Sequence, residues 1–344
     1  MLDAFFQWYA SLTDNNLIGS VALFVIGLVL LIKGGDWFVD AATGIAKRFR
    51  VPEIIIGATV VSIGTTLPEV MVSATAAVNG NGAIAYGNAI GSIICNTALI
   101  AALTIAIRPA PVNRKAVTMP VIFFFLSAAI YFVAAYLFGS FDRWLGLVML
   151  AVFAIYMFLT IRAGFKNPVA AEEHEEAEEA PQGNLLKDVL VLIGSAALIA
   201  VGADMLEGSS VCLATMAGIP TEVVGVTIVA LCTSLPELVT AITALAKGHG
   251  ALSLGNIIGA NIFNLVLVSG VAVTVSPFPV PEGSTIGGMN TSLVLEIPLM
   301  VGVMALMTLP AVWKQKLYRW QGVTLLGVYV AFVVVQVLIA LHVL

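Results

Sequence analysis

Long apolar runs separated by short polar stretches follow one another along the chain from residue 17 onwards. An α-helix needs about 20 apolar residues to cross a bilayer core of about 30 Å, and most of these runs have that length. Residues 1–16 contain no basic stretch, so we expect an uncleaved first helix and no signal peptide. The pattern predicts ten transmembrane helices, at 17–42, 53–79, 84–107, 117–138, 144–165, 185–210, 221–246, 251–275, 291–310 and 320–343.

The composition supports this interpretation. Of the 344 residues, 60% are hydrophobic and only 10% are charged, and the mean hydropathy is +1.04. These values are typical of an all-α polytopic protein embedded in a lipid bilayer. The net charge of −5 and the absence of a basic surface argue against a nucleic-acid partner, and nothing indicates an obligatory protein partner. Cys95, Cys212 and Cys232 lie in apolar segments and are expected to be small buried side chains.

The basic residues of the short loops predict the orientation of the chain. If ten helices alternate in direction, 13 lysines and arginines fall on one side of the membrane and only Arg143 on the other. Cytoplasmic loops retain such residues, so we expect basic loops in the cytoplasm and both termini outside, in a plasma (inner) membrane.

The second half of the chain repeats the first. A shift of 168 positions aligns residues 57–100 with 225–268 without a gap, and 19 of these 44 positions are identical. Each copy holds five predicted helices, an odd number, so the second copy must enter the membrane from the opposite face. We therefore predict two inverted repeats, 1–165 and 185–344, joined by an acidic cytoplasmic linker at 166–184.

Each repeat carries a glutamate next to a proline inside an apolar helix, in GTTLPEVMVSA (64–74) and CTSLPELVTAI (232–242). A carboxylate at this depth costs a few kcal/mol, so Glu69 and Glu237 are functional candidates. Thr65, Glu69 and Ser73 recur every four residues, which places their oxygens on one helical face. Pro68 lacks a backbone donor, so we expect a distorted helix with an unpaired carbonyl four residues earlier.

The helix that follows each motif adds a second polar row at the same spacing: Asn88, Ser92 and Asn96 in the first repeat, and Asn256, Ala260 and Asn264 in the second. Asn88 and Asn256 could bind ions or hold helices together by hydrogen bonds. Gly87, Gly91, Gly255 and Gly259 flank these rows and predict close helix contacts.

These candidates offer carboxylate, hydroxyl, amide and carbonyl oxygens. Hard oxygen ligands suit Ca²⁺ or Na⁺ and argue against zinc or copper. We expect these ions to be transported substrates, with no cofactor. A pair of carboxylates suits a divalent cation that cancels both charges, and exchange becomes obligatory if the empty, charged cavity cannot change its side of access.

GTTLPEVMVSA with GNAIGSIICN, and CTSLPELVTAI with GNIIGANIFN, resemble the paired signatures of the calcium:cation antiporter superfamily, the sodium/calcium exchangers in particular. The resemblance implies a ten-helix inverted-repeat fold that exports one Ca²⁺ for about three Na⁺ by alternating access.

It also implies roles for individual residues. Glu69 and Glu237 would be the central ligands, Thr65 and Thr233 would offer mainly backbone carbonyls, and Asn96 would offer the central amide. Thr66, Ser234 and Ser92 would match sodium-site hydroxyls. Asn264 occupies a position where many exchangers have aspartate, which predicts no K⁺ requirement, and Ala260 replaces a serine ligand.

Alternatives stay open at this point. The acids could serve an intramembrane hydrolase, the ligands could line a channel, or the driving ion could be H⁺. Asp36, repeated as Asp204, is expected to cap its helix or to pair locally, for example with Lys33. Glu296 is either a local feature near the outer end of its helix or a sign of proton coupling.

Overall fold

The computed structural model describes residues 17–109, 111–166, 185–216, 234–282 and 285–340. Within these ranges, nine helices are long and apolar enough to cross a membrane, and a tenth apolar helix is shorter. In chain order they are α1 (Leu17–Phe49), α2 (Glu53–Val78), α3 (Gly82–Ile107), α4 (Arg114–Phe138), α5 (Arg143–Lys166), α6 (Leu185–Met216), α7 (Leu235–Ala246), α8 (Gly250–Val275), α9 (Ser292–Lys314) and α10 (Arg319–Ala340).

The all-α prediction is confirmed, and most predicted helix ends lie close to the observed ones. The predicted start of the seventh helix, residue 221, lies outside the described residues. The prediction ended α1 at residue 42, whereas the helix continues to Phe49. The last turn of α1 contains Lys47 and Arg48, and basic residues in a last turn stabilise the C-terminal end of a helix. The length of the apolar run alone therefore underestimates the length of α1. Arg50 then adopts a positive φ and Pro52 follows.

Several turns inside the described helices are π-helical. Two of these segments, Asn96–Ala101 in α3 and Asn264–Val268 in α8, begin at the repeat-related asparagines. The others are Gly57–Val61, Ala134–Phe138 and Ser292–Glu296. α2 stays helical through Pro68, so the expected distortion does not interrupt it, although proline still deprives the Gly64 carbonyl of its helical partner.

Short strands form antiparallel pairs at the end of the protein where α3, α5 and α9 begin. β1 (Ser140–Phe141) pairs antiparallel with β2 (Phe278–Pro279), which joins the two repeats. β3 (Thr285–Ile286) and β4 (Met289–Asn290) form a hairpin. Gly287 and Gly288 make its two-residue turn, and both have the positive φ that such a turn favours.

The two repeats are interlocked. α1 of the first repeat packs along α6 of the second, and the backbones approach closely where Gly27 meets Gly202: a Cβ at Gly27 would lie 2.8 Å from the Gly202 carbonyl oxygen. α3 and α8 are the most deeply buried of the long helices, whereas α10 lies at the periphery. The molecule therefore encloses the two polar rows in its interior.

Ion pairs join the repeats at the opposite end from the strands. Lys247, directly after α7, pairs with Asp36 at 3.5 Å and with Asp40 at 2.7 Å on α1. The expectation that Asp36 pairs locally is therefore wrong: its partner comes from the other repeat. The Asp36 helix and the Glu237 helix are adjacent, which sequence spacing alone could not show.

α2 crosses α8 in backbone contact. A Cβ at Gly57 would lie 2.4 Å from the Leu252 carbonyl oxygen, and one at Gly255 would lie 2.2 Å from that of Ile54. A Cβ at Gly259 would lie 2.7 Å from the Ala58 Cα atom. The predicted close contact is thus confirmed for Gly255 and Gly259. No described residue lies within 4 Å of a Cβ placed at Gly87 or Gly91.

Gly255→Ala tests this crossing. The three atoms nearest to the added methyl group are backbone atoms of Ile54, which cannot rotate away, so we expect a loss of about 1–3 kcal/mol in stability. Thermal unfolding of the purified protein in detergent should show a lower Tm. Gly302→Ala is the matched control, because no described residue outside its own helical turn lies within 4 Å of the new Cβ. Equal Tm values for the two variants would contradict the close crossing.

Candidate functional site

Glu69 and Glu237 come together in the interior of the protein. Glu69 on α2 is 1% exposed and Glu237 on α7 is 0% exposed. Their carboxyl groups lie close enough to interact with each other, and that of Glu237 also faces the Thr65 side chain. No carboxylate oxygen of either residue makes a well-formed hydrogen bond with the described protein. The two repeats therefore contribute one acid each to a single buried pair.

The second polar row brings amide and hydroxyl groups to the same interior. Asn96 on α3 and Asn264 on α8 are fully buried, and each is the first residue of a π-helical segment. Ser92 lies one helical turn before Asn96 and is 3% exposed. Such π-helical turns loosen the regular backbone ladder and often occur at functional sites. Ala260, in the place of Ser92 in the second repeat, is buried and adds no oxygen.

Most of the predicted ligands share one property: they are buried polar side chains without a well-formed hydrogen bond to the described protein. Leaving one such group unsatisfied costs about 1–3 kcal/mol, so their concentration at one place indicates a polar ligand. The residues with this property are Thr66, Glu69, Ser92, Asn96, Ser234, Glu237 and Asn264.

The two remaining predicted ligands behave differently. The Thr65 hydroxyl donates a hydrogen bond to Asn256 Oδ1 at 3.4 Å, so it is already engaged. Thr233 lies outside the described residues. Thr65 thus remains near the acid pair, but its hydroxyl has a protein partner.

Asn88 and Asn256 hold the acid-bearing helices in place. Asn88 Nδ2 donates to the backbone oxygen of Glu69 at 3.2 Å and to Ser73 Oγ at 2.8 Å. Asn256 Nδ2 donates to Thr240 Oγ1 at 3.0 Å, and that hydroxyl lies one turn after Glu237. Of the two interpretations left open, these contacts favour interhelical hydrogen bonding for both asparagines.

The sequence did not identify some residues that lie next to the site. Ser62 Oγ donates to the Asn256 backbone oxygen at 3.0 Å, but its repeat equivalent is Ala230, so the duplication gave no signal. Cys95 is buried, as expected, and its thiol lies beside Ser234 and near both carboxylates. Tyr329 on α10 donates to its sulfur at 3.7 Å. Only tertiary packing brings these side chains to the site.

The donor set fits hard cations. Carboxylate, amide and hydroxyl oxygens are the ligands that Ca²⁺ and Na⁺ accept. Within the described parts of the chain, no group of three or more His, Cys, Asp or Glu residues could hold a metal ion, so this site depends on neutral oxygens as well as on its two acids. Thiolate or imidazole clusters typical of zinc or copper are not found there.

The fold and the site define a polytopic membrane protein in which two repeats bring their acids and neutral polar side chains together in the interior. The sequence model of the family described as "Sodium/calcium exchanger protein" matches residues 19–162 and 187–338. The chain therefore belongs to the sodium/calcium exchanger family, whose members are transporters and not enzymes.

Relatives and a solved structure agree with this assignment. The chain is 31% identical to the sodium/calcium exchanger MaX1 of Methanosarcina acetivorans, covering 91% of this chain and 97% of that protein. It is 34% identical to the inner membrane protein YrbG of Escherichia coli, over 75% and 80% of the two chains. A structure of the sodium-calcium exchanger NCX_Mj matches with a TM-score of 0.76 and 30% identity, covering 92% of this chain and 98% of that one. The predicted inverted-repeat exchanger fold is thereby confirmed.

Asn256→Ala tests the structural role of this side chain. The change removes the acceptor of Thr65 and Ser62 and the donor to Thr240, so buried hydroxyls lose partners and we expect a loss of about 1–3 kcal/mol. The measurement is the midpoint of thermal unfolding in detergent. Asn79→Ala is the control, since Asn79 is exposed at a loop. An unchanged midpoint for Asn256→Ala would show that these bonds do not stabilise the fold.

Proposed function

We propose that the protein is a secondary active antiporter that exports Ca²⁺ from the cytoplasm in exchange for Na⁺. The observation that carries the proposal is the pair Glu69 and Glu237, surrounded by buried hydroxyl and amide groups that have no hydrogen-bond partner in the described part of the chain. Membership of the sodium/calcium exchanger family gives the same class of substrate. No protein partner is needed for this activity.

The charge of the site explains the preference for a divalent cation. Two carboxylates about 5 Å apart repel each other by roughly 3 kcal/mol at an effective dielectric constant near 20. One Ca²⁺ cancels both charges, and several Na⁺ can do the same by binding to neutral oxygens as well. An empty cavity would keep a charge of −2 in the interior of a membrane protein, which opposes rearrangement. Transport of one ion in one direction therefore requires transport of the other ion in the opposite direction.

We assign the ligand roles as the family resemblance implies, and the burial of these side chains supports the assignment. Glu69 and Glu237 bind either ion, while Thr66, Ser92, Ser234 and Asn96 supply neutral oxygens. The Thr65 hydroxyl is engaged with Asn256, which supports a contribution from its backbone carbonyl, and we assign the same role to Thr233. Asn264 contributes an amide and no charge, so we expect transport without K⁺.

An exchange of about three Na⁺ for one Ca²⁺ supplies enough energy for export. With a tenfold Na⁺ gradient and 100 mV, three Na⁺ release about 11 kcal/mol, and moving one Ca²⁺ outward against the voltage costs about 4.6 kcal/mol. The remaining 6 kcal/mol or so sustains a Ca²⁺ ratio on the order of 10⁴. Ala260 lacks the hydroxyl of Ser92, which makes the Na⁺ count a quantity to measure.

The same proposal places the protein in the plasma (inner) membrane. The basic loops and the acidic linker at 166–184 face the cytoplasm, and both termini face outward. In this arrangement the repeats 1–165 and 185–344 have opposite orientations in the membrane, and the ion site lies between them.

Ca²⁺ uptake into Na⁺-loaded proteoliposomes tests this function. After dilution into Na⁺-free buffer, we expect uptake that depends on internal Na⁺, is unaffected by K⁺ and falls to background in Glu69→Gln and in Glu237→Gln. Each variant keeps the size of the side chain but removes one charge from the pair. Glu282→Gln, an exposed acid in a loop, is the matched control and should transport like the wild type.

Other outcomes would replace the proposal. Uptake driven by a pH gradient without Na⁺ would make the protein a H⁺/Ca²⁺ antiporter with the same site. Downhill Ca²⁺ flux without any counter-ion would indicate a channel.

A further inference from the structure

A second acidic site lies away from the pair of glutamates. Glu296 is a half-buried residue near the start of α9, in an otherwise apolar helix. Its Oε1 atom accepts a hydrogen bond from Gln336 Nε2 of α10 at 3.0 Å. Gln336 is a neutral partner, so it satisfies an oxygen atom of Glu296 without balancing its charge.

A buried tyrosine faces this carboxylate. Tyr86 on α3 is 2% exposed, and its hydroxyl points toward Glu296 and Ser292 but makes no well-formed hydrogen bond with the described protein. Tyr131 on α4 is 1% exposed and stacks on Tyr86 at 6.4 Å between ring centroids. Thr291, directly before α9, is another buried hydroxyl for which the described residues offer no hydrogen-bond partner.

This arrangement belongs to one repeat only. The residue equivalent to Tyr86 in the second repeat is Leu254, so the duplication did not copy the phenol. Along α3, Tyr86 precedes Ser92 by six residues, which is about 9 Å along the helix axis. The Glu296 cluster is therefore separate from the central site and lies toward the end of the protein that we place outside.

The charge of Glu296 has no basic partner. Among the described residues, the ion pairs involve other acids, and no Lys, Arg or His lies within ion-pair distance of Glu296. A negative charge at this depth in a membrane protein is stabilised by a nearby cation. The hydroxyl groups near it carry oxygen atoms that can bind a cation, and Glu296 ends the π-helical segment Ser292–Glu296, a kind of turn that often occurs at functional sites.

We propose that Glu296, Tyr86 and Ser292 form a second cation site, which binds one monovalent alkali cation. A single carboxylate is neutralised by a single positive charge, whereas the central pair is matched by a divalent ion. Phenol, hydroxyl and carboxylate oxygens are hard ligands that suit Na⁺ or K⁺. This site goes beyond the proposed exchange reaction and does not depend on it.

Thermal unfolding of the purified full-length protein tests the site without any transport measurement. In the background Glu69→Gln with Glu237→Gln, the central carboxylates are neutral. We expect NaCl or KCl, compared with choline chloride at equal ionic strength, to raise Tm by about 2–4 °C. Separate Na⁺ and K⁺ titrations identify which alkali cation binds. Adding Glu296→Gln should abolish the shift, and Tyr86→Phe should reduce it while keeping the stacked ring.

Glu282→Gln in the same background is the control and should leave the shift unchanged. A shift that survives Glu296→Gln, a shift given by Ca²⁺ but not by Na⁺ or K⁺, or no shift with either alkali ion would overturn the proposal. If the doubly substituted background does not purify as a single species, the same comparison is made between wild type and Glu296→Gln in saturating Ca²⁺. There too, loss of the K⁺ or Na⁺ shift in Glu296→Gln supports the site, and an unchanged shift refutes it.

Discussion

The free-energy cost of burying two carboxylates side by side is the main constraint on this structure. Glu69 and Glu237 are almost completely buried and face each other, yet neither has a basic partner among the described residues. In such surroundings the pair is stable only when a cation or protons reduce its charge. The surrounding helices serve this requirement: α3 and α8 bring amides and hydroxyls, and Asn88 and Asn256 fix the backbones that carry the acids. Fold and transport chemistry therefore share one electrostatic constraint.

Duplication supplies the pair, and departures from symmetry give the protein its individual properties. A single helix with one glutamate becomes a two-acid site once its inverted copy packs against it. Ser92 is matched by Ala260, so at this position only the first repeat brings a side-chain oxygen to the interior. Tyr86 is matched by Leu254, and only the tyrosine faces Glu296. Because the repeats are inverted, each of these differences also distinguishes one face of the membrane from the other.

Much of the fold and the core of the site could be predicted from the sequence, because apolar length and internal repetition are strong local signals. Glu69, Glu237, Asn96 and Asn264 were identified because each occurs twice in the same setting. Ser62, Thr240 and Cys95 were missed, since their repeat equivalents are apolar and only packing brings them near the acids. The predicted end of α1 and the predicted local pairing of Asp36 were wrong for a related reason. The helix continues beyond its apolar run, and Asp36 pairs with Lys247 of the other repeat; neither feature leaves a periodic pattern in the sequence.

The central claim is that the two glutamates make one site and not two. Equilibrium binding of radioactive Ca²⁺ to the purified full-length protein tests it most directly. The account predicts one Ca²⁺ per chain, displaced by Na⁺ with a Hill coefficient above 1, and no measurable binding in either Glu69→Gln or Glu237→Gln. Two Ca²⁺ per chain, with each substitution removing one and leaving the other, would show that the acids bind independently and would contradict the account.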